Sequence, residues 1–189
     1  VSYLRPSSVG AAHHAPAVTK LLVEKIRSRW PNVKIIVRGD GGFAIEKLMR
    51  WCDKNDVKFV FGLPKNNVLN GHLACEMTRA SILYSQTKTK QAVFKWFRYR
   101  TRETWDRHRW VIGKAEFSAK GANPRFVVTN IPSSEEIVDA TYERSRINGR
   151  QVRRVKDSGT NCTPVQNPEE FYRTLYCPRG EMENRIKEQ

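Results

Sequence analysis

Residues 33–43, VKIIVRGDGGF, constrain the fold more than any other stretch of the chain. Val33, Ile35, Ile36 and Val37 form a β-branched run bounded by Pro31 and Gly39, the pattern of a buried strand. The run stops at Arg38-Gly39, and the next residue is the carboxylate Asp40. Gly41 and Gly42 allow a tight turn before a helical pattern begins, with Phe43, Ile45, Leu48, Met49, Trp51 and Cys52 near helical spacing. Residues 57–61, VKFVF, then read as a second buried strand. Strand, helix and strand within about thirty residues make a βαβ unit. Ligands of open α/β sheets gather at the carboxyl ends of the strands, which is where this order places Asp40.

Net charge narrows the partner. Thirty-four Lys and Arg against nineteen Asp and Glu give +15 and a pI near 10.0, and nucleic acid is the commonest polyanion to match such a balance. No apolar run approaches the roughly 20 residues that cross a bilayer, and the amino terminus lacks a signal-peptide pattern. A bacterial cytoplasmic, nucleoid-associated address is therefore expected, with no membrane partner. Cys52, Cys75, Cys162 and Cys177 show neither zinc spacing nor a disulfide framework, and His13, His14, His72 and His108 add no ligand pattern. The chain starts at Val1 and ends in a charged helical pattern without a stop signal, so a fragment of a longer protein is expected.

Along the chain, residues 17–30 carry Val18, Leu21, Leu22, Ile26 and Trp30 at helical spacing, which predicts a helix packed on the sheet. Residues 69–83 can form another helix. Residues 92–100 and 109–117 alternate in period two and predict a hairpin joined around 103–108; residues 125–131 add a strand. A short helix is expected over 133–142 and an exposed basic loop over 143–167. Asn167-Pro168-Glu169-Glu170 is a strong helix start. In the hairpin, Trp96 and Trp105 interleave with Lys95, Arg98, Arg100 and Arg102, a mixture suited to stacking on bases and contacting phosphates. One face of it is expected to grip DNA.

The last helical stretch reads YCPRGEMENRIK over 176–187, where Tyr176, Arg179, Glu183 and Lys187 share one face if the turn is continuous. A hydroxyl, two cations and a carboxylate suit a phosphodiester with a metal ion beside it. Asp40-Gly41-Gly42-Phe43 resembles the D-x-G-(Y/F) signature, and Tyr176-x2-Arg179-x3-Glu183 the Y-x2-R-x3-E signature, of DDE-type insertion-sequence transposases of the Tyr-Arg-Glu-Lys class. The phrases LRP, IIVRGDGGF, FVFGL and RFVVTN, spread over most of the chain, are similar to one bacterial branch of that class.

The resemblance implies an α/β, ribonuclease H-like fold, here partial, with a β-rich insertion before the last catalytic helix. The parts would be a core over 1–65, an insertion over 66–132, a basic connecting segment over 133–167 and the terminal catalytic helix over 168–189. Asp40 would match the second Asp and Glu183 the Glu of a metal-binding triad holding Mg²⁺ or Mn²⁺. Tyr176 and Arg179 would hold the DNA backbone, with Lys187 a substitute for a Lys that the signature places seven residues after Glu183. The implied reaction is hydrolysis and strand transfer at the ends of a mobile element, on double-stranded DNA, by a homodimer on paired ends. The first Asp has no counterpart among Asp53, Asp56 and Asp106, so this chain alone is expected to be inactive. The alternatives are a basic nucleic-acid-binding remnant without chemistry, and a ribonuclease H-like nuclease.

Overall fold

The computed structural model describes residues 13–131, 142–147, 150–155 and 167–178. Its centre is a six-stranded mixed sheet in the order β1-β2-β6-β4-β3, with the short β5 paired to β4. The strands are β1 Ile36–Gly39, β2 Lys58–Leu63, β3 Gln91–Tyr99, β4 Arg109–Ser118, β5 Gly121–Ala122 and β6 Arg125–Thr129. β1 and β2 run parallel, joined by the crossover helix α2 Glu46–Lys54. This is the βαβ unit expected from the sequence. The remaining ladders are antiparallel, and β6 joins them to the unit by pairing Val60 with Thr129 and Leu63 with Phe126. The segment 66–132 thus extends the sheet of the βαβ unit instead of forming a sheet of its own.

Each face of the sheet is covered. On one, α1 Ala15–Arg29, α2, α3 Asn67–His72 and α4 Ala74–Thr87 enclose Leu48, Met49, Cys52, Phe59, Phe61, Leu73, Val111 and Val128. On the other, Val60, Ile112 and Val127 are covered by Phe171 and Tyr172. Those two residues lie at the junction of α5 Pro168–Phe171 and the π-helical turn Tyr172–Tyr176. Asn167 caps α5, its Oδ1 accepting from the backbone N–H of Glu169 at 2.9 Å, which fulfils the expected helix start.

Three expectations need correction. Residues 33–37 do not form a buried strand: β1 begins at Ile36, and both Val33 and Ile36 are exposed. An apolar run cannot distinguish a central strand from an edge one, and β1 pairs only with β2 among the described strands. Helix α1 buries only Ala15 and Val23, while Leu21 and Trp30 stay 66% and 59% exposed. It is tied instead through Arg27, which donates to the carbonyls of Asn55 at 2.7 Å and Asp56 at 3.1 Å. Finally, the segment expected as a basic loop contains an antiparallel pair, β7 Tyr142–Ile147 and β8 Arg150–Val155, closed by Ile147 opposite Arg150. The two residues between are Asn-Gly, the dipeptide most favoured in two-residue hairpin loops and the signal that identifies this pair. The helix expected over 133–142 lies almost wholly outside the described residues, only Tyr142 being described, as the first residue of β7.

Candidate active site

Asp40 stands at the carboxyl end of β1, as the sequence predicts. Gly39 permits this end to close, because a Cβ there would come within 2.8 Å of the Phe43 ring folded back over it. Phe43 in turn packs toward Phe61 at 6.4 Å between ring centres. Asp40 itself has extended backbone, and its Oδ1 accepts a hydrogen bond from the backbone N–H of Gly42 at 2.9 Å. Its carbonyl accepts from the N–H of Phe43 at 3.1 Å, completing a short 3-10 turn over Gly41–Phe43. Asp40 therefore caps a helical turn with one oxygen. The other, Oδ2, has no partner among the described residues, and the side chain is exposed.

Tyr176 approaches the same turn from the far end of the chain. A Cβ at Gly62 would lie 2.7 Å from the Tyr176 hydroxyl oxygen, 3.2 Å from the backbone nitrogen of Gly41 and 3.4 Å from the carbonyl carbon of Asp40. Gly62 thus marks a point where β2, the Asp40 turn and the terminal segment converge. Arg38, two residues before Asp40, adds a tether by donating from Nη1 to the carbonyl of Leu175 at 3.3 Å. The π-helical turn aims this segment, with the N–H of Cys177 donating to the carbonyl of Tyr172 at 3.0 Å. Tyr172 is the anchor: it is buried against Phe94 and Lys114, and burial pushes its phenol above the ordinary range. Arg38 and Gly62 are not legible as site residues in the sequence, since Leu175 and Tyr176, which they meet, lie more than a hundred positions away. Arg179, Glu183 and Lys187 lie outside the described residues.

Asp53, Asp56 and Asp106 sit at the other end of the sheet. Asp53 and Asp106 bind the buried Arg109, at 2.6 Å and 3.4 Å, and Glu46 completes the shell at 3.3 Å. Asn130 links Asp53 to the start of β2 by donating to its Oδ1 at 2.9 Å and accepting from the N–H of Phe59 at 2.8 Å. Burial, reinforced by a hydrogen bond with Asp106, raises the Glu46 carboxyl. Burial would raise Asp106 too, but hydrogen bonds from Glu46 and Arg107 hold it below the usual range. This network joins α2 to β4 and leaves Asp40 without a second carboxylate from these elements.

The hairpin residues expected at DNA divide into two sets. Trp105 is 7% exposed and packs edge-on to Tyr99 at 5.5 Å; Trp96 is half-buried between Trp110 and Phe171. Arg98 lies over the Trp110 ring at 4.9 Å and donates to the carbonyl of His108 at 2.8 Å, while Lys95 pairs with Glu76 at 3.0 Å. α4 packs on one side of β3 and α5 on the other, and most of the strand is partly buried. Arg100 and Arg102, beyond the end of β3, are exposed.

The Asp40 turn offers one exposed carboxylate oxygen, a hard donor, without a partner among the described residues. Among the described residues no group of three or more His, Cys, Asp and Glu could hold an ion. No helix of the described residues is long and apolar enough to cross a membrane. A family model described as transposase DDE domain, group 1, matches residues 1–158, a stretch that includes Asp40 and ends before Tyr176. Comparison with curated proteins and with solved structures returns no match.

Proposed function

The chain belongs to the group 1 family of transposase DDE domains, and from that we propose that it carries part of a DNA transposase active site centred on Asp40. The observation that supports this best is the convergence of Tyr176 on the Asp40 turn at Gly62. Sequence elements far apart in the chain meet at one sheet edge, and the residues that meet are those of the two transposase-like motifs.

In this reading Asp40 and Glu183 hold Mg²⁺ or Mn²⁺. A divalent ion held there would supply Lewis-acid chemistry toward a water or 3′-hydroxyl and the leaving oxygen of a phosphodiester. The chain's own residues orient the strand. Gly42 fixes the Asp40 carboxylate by engaging Oδ1, which leaves Oδ2 without a partner among the described residues. Tyr176 offers its hydroxyl to a phosphate oxygen, and Arg179 adds a guanidinium in the same motif. Arg38 holds the terminal segment in place and contributes positive charge beside the cut. Exposed Arg100 and Arg102 extend the phosphate contacts along double-stranded DNA. The ribonuclease H-like fold, dimeric action on paired ends and cleavage with strand transfer complete the reading.

Calorimetric titration of Mg²⁺ or Mn²⁺ into the protein and its Asp40→Ala and Glu183→Ala variants tests it. Saturable binding weakened at least tenfold by each substitution is expected; binding untouched by both overturns the assignment. A second reading, a nucleic-acid-binding remnant without chemistry, draws on the capping bond between Asp40 and Gly42, an ordinary structural role for a turn Asp. It predicts salt-sensitive DNA binding with no ion binding.

A further inference from the structure

The loop over residues 100–108 joins β3 to β4 and carries the exposed Arg100 and Arg102. It is folded on itself, with the Trp105 N–H donating to Thr101 Oγ1 at 2.9 Å and the Trp105 ring packed on Tyr99. Asp106 ties this loop to α2 through Arg109. The Arg109 Nη2 atom lies 3.4 Å from Asp106 Oδ1, 3.3 Å from Glu46 Oε1 and 3.4 Å from Glu46 Oε2. One nitrogen thus faces three oxygens with two hydrogens. Nη1 is engaged by Asp53 at 2.6 Å, and the buried Nε has no partner among the described residues. The guanidinium therefore leaves the contact between Glu46 and Asp106 one hydrogen short.

Charge points the same way. Glu46, Asp53 and Asp106 bring three carboxylates to two guanidiniums, Arg109 and Arg107, and one added proton makes the group neutral. Arg107 bonds Asp106, Nη2 to Oδ2 at 3.2 Å and Nε to both oxygens at 3.3 Å, so Asp106 is the better supported anion and Glu46 the carboxyl that holds the proton. The opposite displacements of the two groups, Glu46 upward from 4.5 and Asp106 downward from 3.8, agree with that division. Around them stand Cys52 of α2, whose thiol burial pushes up to about 12, and the neutral Asn130 on Asp53; His108 lies in the loop itself.

We propose that Glu46 and Asp106 share one proton, and that this proton fastens the 100–108 loop to α2, the helix that follows the Asp40 turn. A carboxyl raised on folding stabilises below its ordinary 4.5 and ceases to do so as the pH climbs through its raised value. Asp106, lowered on folding, stays the accepting anion above 3.8. Docking is thus tight in mild acid and loosens as the pH rises toward 8. Once Glu46 ionises, two carboxylates face each other across one Nη2, and the loop with Arg100 and Arg102 is driven from the helix. The device holds whatever chemistry Asp40 performs.

Hydrogen exchange of the Trp105 amide in the whole chain, measured by NMR at pH 5 and pH 8 and corrected for the intrinsic pH dependence of exchange, tests it. At least fivefold weaker protection at pH 8 is expected, with the amides of β6 unchanged. Glu46→Gln fixes a hydrogen opposite Asp106, and Asp106→Asn fixes one opposite Glu46. Each is expected to hold the pH 8 protection within twofold of its pH 5 value, in a chain whose circular dichroism shows it folded. Equal protection at the two pH values in the unaltered chain overturns the proposal. A fivefold dependence that survives in a folded amide variant also overturns it, assigning the effect to His108 or another group. A matching loss in β6 marks a change of the whole fold and overturns it as well.

Discussion

Replacing Gly62 by Ala probes the convergence on which the functional reading depends. Gly62 lies in β2, held on one side by β1 and on the other by β6, so its backbone has little freedom to retreat. The added methyl would sit 2.7 Å from the Tyr176 oxygen, about 0.7 Å closer than the ~3.4–4 Å of ordinary contact. The Gly41 nitrogen at 3.2 Å and the Asp40 carbonyl carbon at 3.4 Å block escape toward the turn. Relief must come from displacement of the terminal segment. Overpacking of this kind costs about 1–3 kcal/mol, while the lower chain entropy of Ala returns roughly 0.5–1 kcal/mol. A net loss of about 1–2 kcal/mol is expected, or roughly 2–8 °C in Tm for a chain of this size. Tyr176→Phe removes the atom that the methyl meets. In that background Gly62→Ala is expected to be neutral or slightly stabilising, a coupling of at least about 1 kcal/mol by urea unfolding of the two single variants and the double. Additive losses would refute the seating of Tyr176 on Gly62.

Two further expectations concern the ion pairs. Arg109→Met leaves Glu46, Asp53 and Asp106 without their shared cation and is expected to cost about 3–5 kcal/mol at pH 7. The loss should shrink toward pH 5 as the stranded carboxylates take up protons, and equal losses at both pH values in urea titrations would count against this account. Burial alone would raise the Glu116 carboxyl, but hydrogen bonds from Lys114, Lys90 and Asn123 bring it down to about 2 from an ordinary 4.5. Its stabilisation is then complete above pH 4.5 and is lost as pH falls toward 2. At 1.36 kcal/mol per unit the ceiling is about 3 kcal/mol, reduced by solvent screening at the exposed Lys90 to about 1–2. Glu116→Gln should flatten the acid limb of the stability profile; an unchanged slope between pH 2 and 4.5 would exclude this carboxylate as its source.

The sequence makes the local parts of this architecture legible and leaves the long-range parts hidden. Asp40 is found because a strand end, a carboxylate and two glycines are consecutive. β2 is found because four consecutive buried positions follow Lys58. The alternation in β3 separates Phe97 and Tyr99 from Trp96 correctly, yet it cannot reveal that helices pack on both sides, since α4 and α5 come from different parts of the chain. Trp96 meets Phe171 of α5 through that packing, while Trp105, in the loop after β3, packs on Tyr99. For β1 the β-branched run reports strand propensity without reporting which neighbours exist. The meeting of Gly62 with Tyr176 carries no sequence signal, because a strand glycine is equally compatible with a bulge or a weak point in the sheet.

Leu63 stands directly opposite Phe126, so the chain leaves the middle of the sheet and re-enters it at a single place. In evolutionary terms such a junction is a port. Exposed positions of the outer loop, such as Arg102 and Glu103, can change without shifting β1, β2 or the turn that holds Asp40, whereas Trp105 and Asp106 are tied into the core and the Arg109 network. The entropy of closing a longer excursion grows only slowly with its length, so the outer loop can vary while the Asp40 turn stays fixed.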